Sequence, residues 1–271
     1  MSYTMEPIPT LSIAGMILAL LVGVLVPVIL LLVWKKKTGL RILPFTLGMA
    51  TFVAFAMLLE SLFHRLVLGL TGEAITGNIW LYALYGGLAA GLFEETGRYL
   101  AMRFLMKKTL NRESAVAFGI GHGGMESVLV LGVSMVSNLS MTVMLTRSGL
   151  EPVLEAVPEE LREAYYTQIS ALWTTDPSAF FLASLERLSA LTLHICLSYL
   201  VYRAVKDKKI ALFFAAIGIH AAIDFGVSAL AGLNCPTAIL EAILALMVAA
   251  FAFFTVRAYR REGEDPVMRD A

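Results

Sequence analysis

The chain has 271 residues, 58% hydrophobic and only 15% charged, and its 21 basic and 21 acidic side chains cancel to zero net charge. That balance leaves no basic surplus to hold phosphates, so a nucleic-acid partner is excluded, and so is an ordinary soluble domain. Several apolar runs reach the roughly 20 residues needed to cross a bilayer.

The expected fold is all-α, a polytopic transmembrane helical bundle of about seven spans. In chain order these are Leu11–Trp34, Ile42–Phe63, Ile79–Met106, Ser114–Met141, Ala179–Arg203, Ile210–Gly232 and Thr237–Tyr259. The first reads as a retained span rather than a cleaved leader, because no Lys or Arg precedes it and no small-residue cleavage site follows. Lys35, Lys36, Lys37 and Arg41 follow span 1, and Arg103, Lys107, Lys108 and Arg112 separate spans 3 and 4. Arg203, Lys206, Lys208 and Lys209 separate spans 5 and 6, and Arg257, Arg260, Arg261 and Arg269 close the chain. The opposite side holds only Arg65, Arg147 and Arg162. Basic loops mark the cytoplasmic face, which puts the N-terminus outside and the C-terminus inside, as in a multi-pass protein of a bacterial plasma membrane. The segment 142–178 is expected on the outer surface with one or two short helices, one of them opened by Pro158. With no soluble domain or repeat in view, residues 1–271 read as a single integral membrane domain, and spans 3–6 (79–232) as its core.

Span 3 carries Phe93-Glu94-Glu95-Thr96-Gly97-Arg98 inside its apolar run. Ionisable side chains at membrane depth are costly, which makes them functional candidates. Glu94 and Arg98, four apart, share a helix face, whereas Glu95 points about 100° away. Span 4 holds His122 and Glu126, and span 6 holds His220 and Asp224, again at the spacing that puts an imidazole and a carboxylate on one face. Counting the rise per residue from the basic edges puts Arg98 and His122 about 12 Å deep, His194 about 14 Å and His220 about 15 Å. By the same count Glu94, Glu95 and Glu126 lie about 17–18 Å deep and Asp224 about 21 Å. These residues form one layer, expected to face a cavity open to the cytoplasm. Glu60, Glu186, Arg187 and Glu241 fall near the outer face and are set aside as pairing with one another or with loops. Gly119, Gly121, Gly123 and Gly124 strip side chains from span 4, so neighbouring backbones can approach it.

Common hydrolase signatures are absent. There is no His-Glu-x-x-His, no Gly-x-Ser-x-Gly and no second intramembrane Asp for a dyad. What is present suits a carboxylate that activates water, with histidines stabilising the oxyanion. Intramembrane Glu, His, Asp and Arg also suit a proton-coupled transporter or relay, and a third alternative is a non-catalytic peptide-binding scaffold.

The ordered set Glu94-Glu95-x-x-Arg98, Phe118-x-x-x-His122 and His220-x-x-x-Asp224 resembles the superfamily of CAAX prenyl endopeptidases, CPBP proteins and PrsW proteases. The context Phe-Glu-Glu-Thr-Gly-Arg-Tyr and Gly-His-Gly-Gly-Met-Glu is most similar to its YhfC branch of intramembrane metalloproteases. The resemblance implies a protease acting on membrane proteins or peptides. Glu94 would be the base, Glu95 its assistant and Arg98 the group fixing both carboxylates. His122 and His220 would polarise the scissile carbonyl, Asp224 would orient His220, and Glu126 would suit a second metal or base role. On the same resemblance the expected chemistry uses no cofactor. The alternative is Zn²⁺ held by His122, Glu126, His194 and His220.

Overall fold

The computed structural model describes residues 3–264, and those residues contain helices and connecting turns but no strand. Arg269, counted among the basic residues that close the chain, lies outside the described residues.

The helix α1 covers Thr10–Thr38 and ends at Gly39, whose φ of 69° lets the Gly39 N–H reach back to the Lys35 carbonyl. The second span begins as α2 (Leu43–Phe52), with Pro44 in its first turn where a missing N–H costs nothing. It continues through a π-helical stretch, Val53–Glu60, into α3 (Ser61–Thr71). After the single turn α4 (Glu73–Thr76), Asn78 caps α5 (Ile79–Leu100) by accepting from the N–H groups of Trp80 and Leu81 at 3.0 and 3.1 Å. A second π-helical turn, Ala101–Leu105, carries α5 onward. Asn111 and Ser114 exchange hydrogen bonds in a capping box that starts α6 (Arg112–Ser127). A third π-helical turn (Val128–Gly132) joins α6 to α7 (Val133–Ser148), giving one long rod.

Two short helices follow, α8 (Leu150–Glu155) and α9 (Arg162–Thr174), with a 3₁₀ turn at Glu159–Leu161 directly after Pro158. Three long helices complete the bundle: α10 (Ser178–Lys206), α11 (Ile210–Gly232) and α12 (Thr237–Glu264).

Six stretches are both long and apolar enough to cross a membrane: Thr10–Thr38, Leu43–Thr71, Arg112–Ser148, Ser178–Lys206, Ile210–Gly232 and Thr237–Gly263. Six of the seven expected spans meet that hydropathy, and α5, with its π-helical turn, still runs from the far end of the bundle back to the basic end where α6 begins. It falls short in apolarity alone, because it carries Glu94, Glu95 and Arg98.

The basic end of the bundle is tied together by polar contacts. Trp34 Nε1 donates to the Glu113 carbonyl at 3.0 Å, and Arg112 Nη1 donates to the Tyr259 carbonyl at 3.0 Å. Glu262 accepts from Tyr199, Tyr202 and Lys206 at 2.7, 2.5 and 2.6 Å. The C-terminal ends of α1, α10 and α12 and the start of α6 thus lie together.

Two apolar cores flank the middle. One gathers Met102, Met106, Phe118, Leu197 and Val201 on the side of the basic end. The other gathers Met16, Leu145, Leu172, Trp173 and Phe180, seating α8 and α9 against α1 and α7. Large apolar side chains such as Leu66, Phe104, Leu246 and Phe254 point outward. In water such a surface would be an aggregation hazard, whereas in a bilayer it faces lipid.

Candidate active site

Close helix approach creates the site. A Cβ on Gly121 would collide with the Phe45 carbonyl of α2, and one on Gly119 would fall 2.6 Å from the Ile195 Cα of α10. Only glycine lets α6 sit this tightly between two neighbours. The result places the His122 ring of α6 with its centroid 5.0 Å from that of His194 on α10. His194 in turn lies 5.4 Å from His220 on α11. His122 is fully buried, packed edge-on against Phe52 and stacked on Phe118.

Each of these side chains has at least one definite partner. His122 Nε2 donates to Glu94 Oε2 at 2.8 Å. Arg98 Nη1 donates to both oxygens of Glu95, at 2.6 and 2.8 Å. Arg98 Nη2 donates to His194 Nδ1 at 3.0 Å, so His194 carries its proton on Nε2, which faces Glu126 Oε2 at 2.5 Å. His220 Nδ1 donates to Glu95 Oε1 at 2.9 Å, and its Nε2 lies 3.5 Å from Asp224. Glu126 Oε1 accepts from Arg187 Nη1 at 2.8 Å, and Arg187 is also paired with Glu186. These contacts make one chain across four helices: Glu186, Arg187, Glu126, His194, Arg98, Glu95, His220 and Asp224. The pair Glu94–His122 lies beside it, with Glu94 Oε2 3.8 Å from His194 Nδ1.

Several expectations change in detail. The residues Glu94, Glu95, Arg98, His122, Glu126, His194, His220 and Asp224 do converge. Arg98, however, takes Glu95 three residues away rather than Glu94 four away, leaving Glu94 for His122. Nor do His122 and Glu126 pair with each other. Glu186 and Arg187, set aside near the outer face, do pair with each other, but together with Glu60 they also line the same cavity of about 360 Å³ as Glu94, Glu126, His194, His220 and Asp224. His64 joins them, holding Glu60 at 3.2 Å and the Tyr85 hydroxyl at 2.7 Å. The depth count failed here because it tracked backbone positions, whereas the Arg187 side chain bridges from α10 across to Glu126 on α6. An intramembrane Glu-Arg pair and an i, i+4 Glu60–His64 pair were the available signals. Glu241 stays outside the cavity lining, buried, with Oε2 unpartnered.

The cavity extends away from the basic end. Beyond the polar layer it is walled by Gly86, Val227 and Ser228, which lie toward the bundle end opposite the Lys/Arg cluster. None of Lys35, Lys36, Lys37, Arg103, Lys107, Lys108, Arg203 or Lys206 lines it.

Among the described residues, Glu94, His122 and His194 each offer a ligand atom, all within 4.8 Å of one another. Two imidazoles and a carboxylate match the donors of catalytic zinc sites. The ring atoms that face Glu94 Oε2 are His122 Nε2 at 2.8 Å and His194 Nδ1 at 3.8 Å, and a cation among them would take the place of the proton on His122 Nε2. The residues therefore fit a divalent metal. Glu126 and His220, expected as further ligands, fall outside this set and are held by Arg187 and Glu95.

A profile of the family described as "YhfC intramembrane metalloprotease" matches residues 22–248. The chain belongs to the YhfC intramembrane metalloprotease family. It is 36% identical over 245 residues to the "Uncharacterized membrane protein YhfC" of Bacillus subtilis (strain 168), covering 88% of this chain and 93% of that protein. No solved structure matches it significantly. That relative is described as a membrane protein, and the helices of this YhfC-family chain make it a multi-pass one. Family membership and the Glu94–His122–His194 group together overturn the expectation of a cofactor-free site.

Proposed function

We propose that the chain is an intramembrane metallopeptidase that hydrolyses peptide bonds of membrane-embedded proteins or peptides. The observation that carries this is the Glu94–His122–His194 donor set placed at a polar cavity inside an apolar bundle. A divalent metal held there supplies Lewis acidity and makes water nucleophilic near neutral pH. The chain's own groups do the rest. Arg98 fixes Glu95 and Glu95 fixes His220, while Glu126 lies 2.5 Å from His194 Nε2 and leaves Nδ1, which carries the lone pair, as the atom that would exchange Arg98 for the metal. His220 donates to the oxygen that gains charge at the scissile carbonyl. Glu126 is occupied by Arg187 and His194, whereas Asp224 has only His220 at 3.5 Å. Asp224 is therefore the cavity carboxylate available to take and return a proton. Glu94, the base on the family resemblance, serves here among the metal's donors.

The whole chain acts as one membrane domain, with its Lys/Arg-rich end in the cytoplasm. Substrates then enter the cavity from the outer half of the bilayer.

The test incubates purified protein in liposomes with a library of membrane peptides and reads products by mass spectrometry. Wild type should cleave, a chelator should abolish cleavage, and added Zn²⁺ should restore it. Glu94→Gln and His122→Ala should lose roughly two to four orders of magnitude in rate. Cleavage that survives both chelation and Glu94→Gln would refute the reading, as would proton flux without any peptide product.

A further inference from the structure

Arg187 stands out because a buried cation inside a span needs a reason. Its side chain is 12% exposed and Glu126's is 16% exposed, and they meet at 2.8 Å across α6 and α10. Glu186 grips the other side of the guanidinium, through Nε and Nη2. The opposite oxygen of Glu126 rests 2.5 Å from His194 Nε2. Glu126 is thus stretched between a cation and an imidazole, and it lies outside the group whose ligand atoms fall within 4.8 Å of one another. Yet it touches a member of that group. A carboxylate free at this position would be drawn to a cation held by Glu94, His122 and His194, because anionic oxygen is a better ligand than an amide or a water for a hard or borderline ion. One more protein ligand would complete four, the closed arrangement of structural sites, where catalytic sites keep a position open.

We propose that Arg187, held by Glu186, is a positioning residue that keeps Glu126 on His194 and out of the metal's ligand set, leaving the metal a position for substrate. The inference rests on the metal-holding role of Glu94, His122 and His194. It gives Arg187 a consequence that a mere helix-packing ion pair lacks: removing it should tighten metal binding while lowering turnover. A packing role would instead lower stability and leave the metal's surroundings alone.

The experiment uses the full chain in lipid nanodiscs, titrated with Co²⁺ alone and followed by its visible spectrum. Wild type and Arg187→Lys, which keeps a cation opposite Glu126, should share one spectrum. Arg187→Met should show a changed spectrum and bind Co²⁺ about tenfold or more tightly, the scale on which a site's surroundings tune affinity. Arg187→Met/Glu126→Gln removes the carboxylate as well, so it should return to the wild-type spectrum and to weaker binding. Thermal unfolding of each variant reports folding separately. An Arg187→Met spectrum and affinity equal to wild type overturn the proposal while leaving the metal site intact. A double variant that still behaves like Arg187→Met also overturns it, since the effect would not pass through Glu126. Failure of wild type to bind Co²⁺ overturns both this proposal and the metal-holding reading beneath it.

Discussion

Arg98→Met isolates the contact on which the site's rigidity depends. The Arg98 and Glu95 side chains are both 0% exposed, so solvent does not screen the pair. Arg98 donates twice to Glu95 and once to His194, and the other group on Glu95 is the His220 imidazole at 2.9 Å. Removing one member of a buried pair leaves an uncompensated charge, at a cost of about 3–5 kcal/mol. Arg98→Met should therefore be among the most destabilising single changes in the bundle. The partner is identified by double-mutant cycles on unfolding in mild detergent, followed by loss of helicity. In the Glu95→Gln background the stranded charge is gone, so Arg98→Met should cost less by about 2 kcal/mol, within the range for contacting residues. In the Glu94→Gln background its cost should change by no more than about 0.5 kcal/mol, since Glu94 bonds His122 instead. Equal coupling to both glutamates, or stronger coupling to Glu94, would refute the pairing and return Arg98 to the i, i+4 partner that helical spacing alone suggests.

Two further outcomes follow from packing at either end of the site. Gly121→Ala drives a methyl into the Phe45 carbonyl and should destabilise by about 1–3 kcal/mol, whereas Gly218→Ala, with nothing within 4 Å, should be neutral or stabilising by about 0.5–1 kcal/mol; unfolding midpoints that rank the two equally would contradict the close α2–α6 approach. Glu262→Ala strips Tyr199, Tyr202 and Lys206 of their shared acceptor and should cost about 1.5–3 kcal/mol, read as faster amide exchange over the last turns of α12 with α5 unchanged.

Composition and periodicity were enough to read the helical class, the approximate span limits and the membrane setting, because a bilayer core demands long apolar helices and tolerates little else. The candidate residues were legible for the same reason: a Glu, His or Arg inside such a run is conspicuous. The glycines of α6 signalled close packing before any partner was known. Pairing was a different matter. Local spacing offers Arg98 two glutamates on adjacent faces, and only the position of α10 and α11 decides that Glu95 and His194 are its partners. Depth counted along single helices could not register an arginine side chain reaching from α10 across to Glu126 on α6, and so it discarded Arg187. The choice of Glu94, His122 and His194 as the group that fits a metal depends on how far three helices approach through glycine contacts. Side-chain identity is a property of the chain, whereas distances between side chains on different helices exist only once those helices have packed.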